Sequence, residues 1–154
     1  MHNLPTWLAK YTASLSKENL HHAYLFYGRE GLGKKDLLTY ISNTILCEST
    51  NLVSCGKCKN CKLILSNTHP DLHVILREEG KKNISISQII NLREKIYESA
   101  FLGSNKIISI PNIESMSRDA SDAILKILEE PPKDTFFIMS SNFIHQIPST
   151  IRSR

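Results

Sequence analysis

The chain has 154 residues, 41% of them hydrophobic and 22% charged, with a net charge of +4. That suffices for one ordinary domain with a buried core, and the composition excludes a disordered or fibrous chain. No apolar run approaches the roughly 18 residues of a membrane span, and the opening residues lack a basic segment followed by an apolar one, so a cytoplasmic protein with no membrane role is expected.

Strands and helices alternate along the sequence. Residues 22–27 (HAYLFY) form a short aromatic and apolar run ending at Gly28, the pattern of a buried strand. Residues 34–46 carry Leu37, Leu38, Ile41 and Ile45 at helical spacing. A cysteine-rich loop follows, then a short helix near residues 62–65 and a second strand over 71–76 (DLHVIL). Ser87 is placed to cap a helix over 88–99, with Ile89, Ile90, Leu92 and Ile96 on one side. Residues 106–110 (KIISI) read as a third strand. A helix over 120–129 must stop before Pro131 and Pro132, and residues 135–140 (TFFIMS) read as a fourth strand. Short apolar strands separated by helices predict a three-layer α/β fold, with a parallel sheet covered on both faces.

The first chemical signal follows the first strand. Residues 28–34 (GREGLGK) match the Gly-x4-Gly-Lys loop, whose backbone N–H groups wrap phosphate at a helix N-terminus. Gly28, Gly31 and Gly33 allow the backbone to turn and approach closely, and Lys34 reaches toward terminal phosphates. The following residue should be Ser or Thr, whose hydroxyl holds Mg²⁺; here it is Lys35, which cannot ligate a metal. The loop is therefore a degenerate phosphate loop. A second lesion lies at the end of the third strand, where a P-loop ATPase needs a carboxylate. Pro111 and Asn112 stand there, and Glu114 two positions beyond would serve only if the strand end were bulged. Intrinsic ATP hydrolysis is not expected.

Cys47, Cys55, Cys58 and Cys61 are all the cysteines of the chain, spaced C-x7-C-x2-C-x2-C. In a cytoplasmic protein this spacing favours a closed tetrahedral Zn²⁺ site with a structural role, held in an insert over residues 47–61. The bland alternative leaves Cys47 as an apolar helix end and the other three thiols free. His69 and His73 lie nearby but read as ordinary strand-flanking residues. Lys57, Lys59 and Lys62 surround the cysteines, with Lys81 and Lys82 further on. They suit either nucleic-acid contact or a solvated surface.

These motifs stand in an order similar to that of bacterial DNA polymerase III clamp-loader subunits, which are AAA+ proteins. The resemblance is carried by HAYLF, the Gly-rich loop, the four-cysteine insert, His69-Pro70-Asp71, residues 84–88 (ISISQ), residues 128–132 (LEEPP) and the closing Ser153-Arg154. Within the family, Lys35 and Pro111-Asn112 depart from the gamma/tau ATPases, and residues 84–88 look like the ATP-inert delta-prime branch. The resemblance implies a stator that helps gamma/tau and delta subunits place a sliding clamp on primed DNA. Arg154, in the position of a Ser-Arg-Cys motif, would be the arginine finger acting in trans on a neighbour's ATP site. Ring-forming relatives carry a helical lid and a collar domain, so these residues are expected to be the nucleotide-site domain alone. Two other readings compete: a gamma/tau-like ATPase, and a stand-alone zinc-bearing nucleic-acid binder. For the latter, no aromatic stacking platform lies between Cys47 and Cys61.

Overall fold

The computed structural model describes residues 20–49, 54–103 and 105–153. Strands β1 (Ala23–Tyr27), β2 (Leu72–Val74), β3 (Lys106–Ile110) and β4 (Thr135–Ser141) form one sheet in the order β1-β4-β3-β2. Every pairing is parallel, with Leu25 beside Met139 and Ile108 beside Phe137. Parallel neighbours cannot be joined by tight hairpins, so helices carry the crossovers. Helices α1 (Lys34–Leu46) and α2 (Lys59–Leu65) lie between β1 and β2. Helix α3 (Ile86–Tyr97) connects β2 to β3, α4 (Arg118–Glu129) connects β3 to β4, and the short α5 (Ser149–Arg152) follows β4.

The alternation of side chains along the two central strands assigns a helix layer to each face. Ile107 and Ile138 pack with Leu37, Leu38, Ile41 and Ile45 of α1 and Ile64 of α2. Ile108, Ile110, Phe137 and Met139 pack with Ile89, Leu92 and Ile96 of α3 and Ile124, Ile127 and Leu128 of α4. The expected three-layer α/β architecture is what forms. Each fully buried Ile or Phe contributes roughly 1.5–3 kcal/mol.

Element positions follow the sequence reading, with shifted ends. The strand expected over 71–76 pairs only at Leu72–Val74, although the Ile75 N–H still donates to Ser109 O at 2.8 Å. The helix expected over 88–99 runs Ile86–Tyr97, and its N-cap is Ser85 instead of Ser87. Gln88 decides this: its Oε1 accepts the Ser85 backbone N–H at 3.0 Å, one half of a capping box that Ser87 has no partner to build. Helix α4 starts two residues before the expected position, with Ser117 Oγ accepting the Ala120 N–H at 3.2 Å, and ends before the prolines as expected. Buried Lys106 donates its ammonium to Lys95 O and Glu98 O, which ties the start of β3 to the C-terminal end of α3.

Candidate functional site

Helix α1 joins the two sites of interest. It begins after the loop that follows β1, spans 13 residues or about 20 Å, and has Cys47 as its C-cap. The Gly-rich loop and the cysteine cluster are therefore at opposite ends of α1.

At the first end, Gly31 and Gly33 have φ of 82° and 78°. A side chain there would be strained, so these two positions need glycine. Gly33 is the N-cap of α1 and offers no side chain to its leading N–H groups. Lys34 Nζ donates to Gly28 O at 2.8 Å and to Arg29 O at 2.6 Å, so its ammonium is held over the loop. Gly28, Gly31, Gly33 and Lys34 thus stand on one loop, closed by the lysine's bonds to Gly28 O and Arg29 O. The loop forms one wall of a groove of about 740 Å³, which Lys35 also lines.

The floor of that groove is locked by internal bonds. Strand β3 ends at Ile110, and Pro111 and Asn112 occupy the tip where a metal-binding carboxylate would stand. Ser140 Oγ, fully buried at the end of β4, donates to Pro111 O. The strand end is not bulged. Glu114 lies on a single 3₁₀ turn (Ile113–Ser115), and its Oε1 accepts the Asn142 N–H at 2.9 Å. That carboxylate holds the segment after β4. The sequence reading missed both locks, since their partners lie 28 and 29 residues apart and no local pattern announces them.

At the other end, the four cysteine Sγ atoms all lie within 4.8 Å of one another, with Cys47 and Cys58 at 4.0 Å. A four-thiolate tetrahedron with metal–sulfur distances of about 2.3 Å has sulfur–sulfur edges of roughly 3.8 Å, so the cluster is shaped to hold a metal ion. None of the four thiols is in a disulfide. Backbone N–H groups point at the sulfurs: Cys55 N at Cys47 Sγ (3.2 Å), Cys58 N at Cys55 Sγ (3.3 Å) and Cys61 N at Cys58 Sγ (3.4 Å). The N–H groups of Lys57 and Cys58 pull the exposed Cys55 thiol down to about 6, while burial pushes Cys61 up to about 12. Asn60 Nδ2 donates to Leu46 O at 2.8 Å and fastens the insert to the end of α1.

His69 is not part of the sulfur cluster. It is buried, and its Nδ1 accepts the Asp71 N–H at 3.1 Å. The Asp71 carboxylate accepts the N–H groups of Phe101 and Leu102 at 2.6 and 2.8 Å, holding the loop before β3. His73 lies within β2, where burial first, and then Lys95 and Lys106, lower its pKa. Lys57, Lys59, Lys62, Lys81 and Lys82 are all exposed. Ser153 is the exposed C-cap of α5, and Arg154 lies outside the described residues. Among the described residues, no helix is long and apolar enough to cross a membrane.

Comparison with known proteins places this architecture. The family described as DNA polymerase III, delta subunit, matches residues 4–154. The chain is 39% identical over 142 residues to DNA polymerase III subunit delta-prime of Buchnera aphidicola subsp. Schizaphis graminum, covering 90% of this chain and 42% of that protein. It is 33% identical to the Escherichia coli K12 subunit delta-prime (94% and 44% covered) and 34% identical to that of Bacillus subtilis 168 (92% and 42%). It therefore spans less than half the length of these relatives. Among solved structures, a DNA polymerase III gamma subunit-related protein from Thermotoga maritima has the same fold, with a TM-score of 0.69 at 20% identity, covering 96% of this chain and 43% of that one. With a family match running over almost its whole length, the chain belongs to the DNA polymerase III delta-subunit family, alongside proteins named delta-prime.

Proposed function

We propose that the chain is the nucleotide-site domain of a delta-prime subunit, and that it serves a clamp loader as a non-hydrolysing stator. In this reading a lid and a collar domain belong to the same subunit. The gamma/tau and delta subunits are its partners in the cytoplasm, and the complex places a sliding clamp on primed DNA. The observation that carries it is the groove beside the phosphate loop. Lys35 stands where a hydroxyl would ligate Mg²⁺, Pro111 and Asn112 stand where a carboxylate would, and one oxygen of the Glu114 carboxylate beyond them is taken by the Asn142 N–H. Both of the protein ligands that usually position Mg²⁺ in such a site are replaced. The floor locks at Ser140–Pro111 and Glu114–Asn142 suit a subunit whose shape does not change with a hydrolysis cycle.

Two further roles belong to this reading. Arg154 supplies a guanidinium to the neighbouring ATP site, the planar charged fork that phosphoryl transfer uses. Zn²⁺ is the metal held by Cys47, Cys55, Cys58 and Cys61, since four thiolates in a closed set suit a structural zinc ion. The test is ATP turnover by the purified chain with Mg²⁺, with and without DNA. The expected rate equals that of buffer. Turnover that disappears in Lys34→Ala would sink the stator reading and favour a gamma/tau-like ATPase.

A further inference from the structure

Helix α3 turns apolar residues to two sides. Ile89, Leu92 and Ile96 pack into the core, but Ile90, which the sequence groups with them, is half exposed. Ile86 and Tyr97 are exposed as well. With Arg93 they follow one another at spacings of four, three and four residues, so the four side chains form one line along the outer surface of the helix. Single apolar residues scattered on a surface need no explanation, whereas a line of them at the repeat of helix packing does.

The line borders a groove of about 280 Å³ between α3 and α4. Ile89, Ala123 and Ile127 give it an apolar floor, and Ile90 and Tyr97 stand on its α3 wall. Each wall adds a cation, Arg93 from α3 and Lys126 from α4. Both are exposed, and neither is in an ion pair among the described residues; the Arg93 guanidinium lies 5.9 Å from the centre of the Tyr97 ring instead. The one acid of the lining, Glu130, is the C-cap of α4 and so stands at the groove's end. This groove shares no lining residue with the one beside the Gly-rich loop.

We propose that this face of α3 and α4 is a docking surface for an acidic amphipathic helix of a partner protein. Laid along the line and into the groove, such a helix covers Ile86, Ile90 and Tyr97 with its apolar side. Carboxylates on its flanks meet Arg93 and Lys126, which have no carboxylate of their own in this chain. Covering those two cations without a counter-charge would oppose docking, so a neutral or basic helix is selected against. Other occupants fit less well. Residues 1–19 of this chain carry Lys10 and Lys17 against Glu18 alone, the wrong balance for two cations. A second copy brings a net charge of +4 and, in a two-fold contact, the same two cations. A nucleic acid would answer the cations through its phosphates but would leave the isoleucines uncovered.

Fluorescence anisotropy with a labelled synthetic helix tests this. The probe has about 16 residues, enough to follow the line on α3, with leucines at the same spacing and glutamates on both flanks. The expected result is saturable binding to the chain that weakens as salt is raised. Glutamine in place of every glutamate should weaken it about tenfold or more, and lysine should abolish it. Ile90→Asp should also weaken it about tenfold or more, the loss of a central apolar anchor. Arg93→Glu combined with Lys126→Glu should reverse the preference, so that the lysine peptide binds and the glutamate peptide does not. All three positions are exposed, so these variants should fold, which a melting curve checks. No binding of the glutamate peptide, or binding indifferent to the charge reversal, overturns the inference. A dimer in sedimentation that Ile90→Asp dissolves would give the face to a second copy and overturn it too. So would a DNA duplex that displaces the peptide and is lost with the same two cations.

Discussion

Cys58 has two roles that a single substitution separates. Its Sγ accepts the Cys61 N–H as the N-cap of α2, and it is one of the four clustered thiols. Serine is as good an N-cap, so Cys58→Ser keeps the cap and removes only the metal ligand. We expect the purified chain to carry about one Zn²⁺ and Cys58→Ser to carry almost none. Losing a structural metal costs about 2 kcal/mol or more, a fall in Tm of roughly 4–8 °C for a domain of this size. Metal analysis that finds no zinc, with all four thiols titrating freely in the native protein, removes the claim. That the cysteines cluster was legible because their spacing is local, C-x2-C twice over. Glu114 was not, because its partner is the backbone of Asn142, which only folding brings near.

At the scale of elements, what was legible depended on how local the deciding interaction is. The central strands and the core face of each helix follow from apolar periodicity, and β3 is buried at every residue. Ends were harder. Two serines, Ser85 and Ser87, are both good caps for α3, and sequence spacing alone favoured the wrong one until Gln88 is counted. Lys106, at the start of β3, is buried although charged, because two carbonyls at the end of α3 accept from its ammonium. The cap gives a direct check. Ser85→Ala should destabilise the chain by about 1 kcal/mol, while Ser87→Ala should cost no more than a few tenths. Urea denaturation of both variants measures this, and a larger loss at Ser87 would restore that residue as the cap.

Across the whole molecule, α1 separates two ends with different work. The cysteine cluster lies at the end of α1 away from the groove, so a metal ion held there would not reach a ligand in the groove. The groove in turn carries Lys35, Pro111 and Asn112 where a P-loop ATPase uses a hydroxyl and a carboxylate. If the subunit still matters to ATP hydrolysis, its contribution must leave through a surface and act on another subunit's nucleotide. Under the proposed stator role, Arg154 is the residue assigned to that work. In the full-length subunit, Arg154→Ala should lower ATP hydrolysis by the assembled complex while leaving assembly intact. An arginine supplied in trans is worth about 10³–10⁵ in small GTPases, but the bulk loss here should be far smaller, because in the proposed assembly only one of several sites faces this subunit. Arg154→Lys should recover little, since an ammonium lacks the planar fork that grips a departing phosphoryl group from two sides. Lys34→Ala should leave complex turnover nearly unchanged. The contrast between the two variants gives the experiment its power. Steady-state hydrolysis crippled by Lys34→Ala and untouched by Arg154→Ala would mean that this chain supplies a catalytic pocket instead of completing its neighbour's.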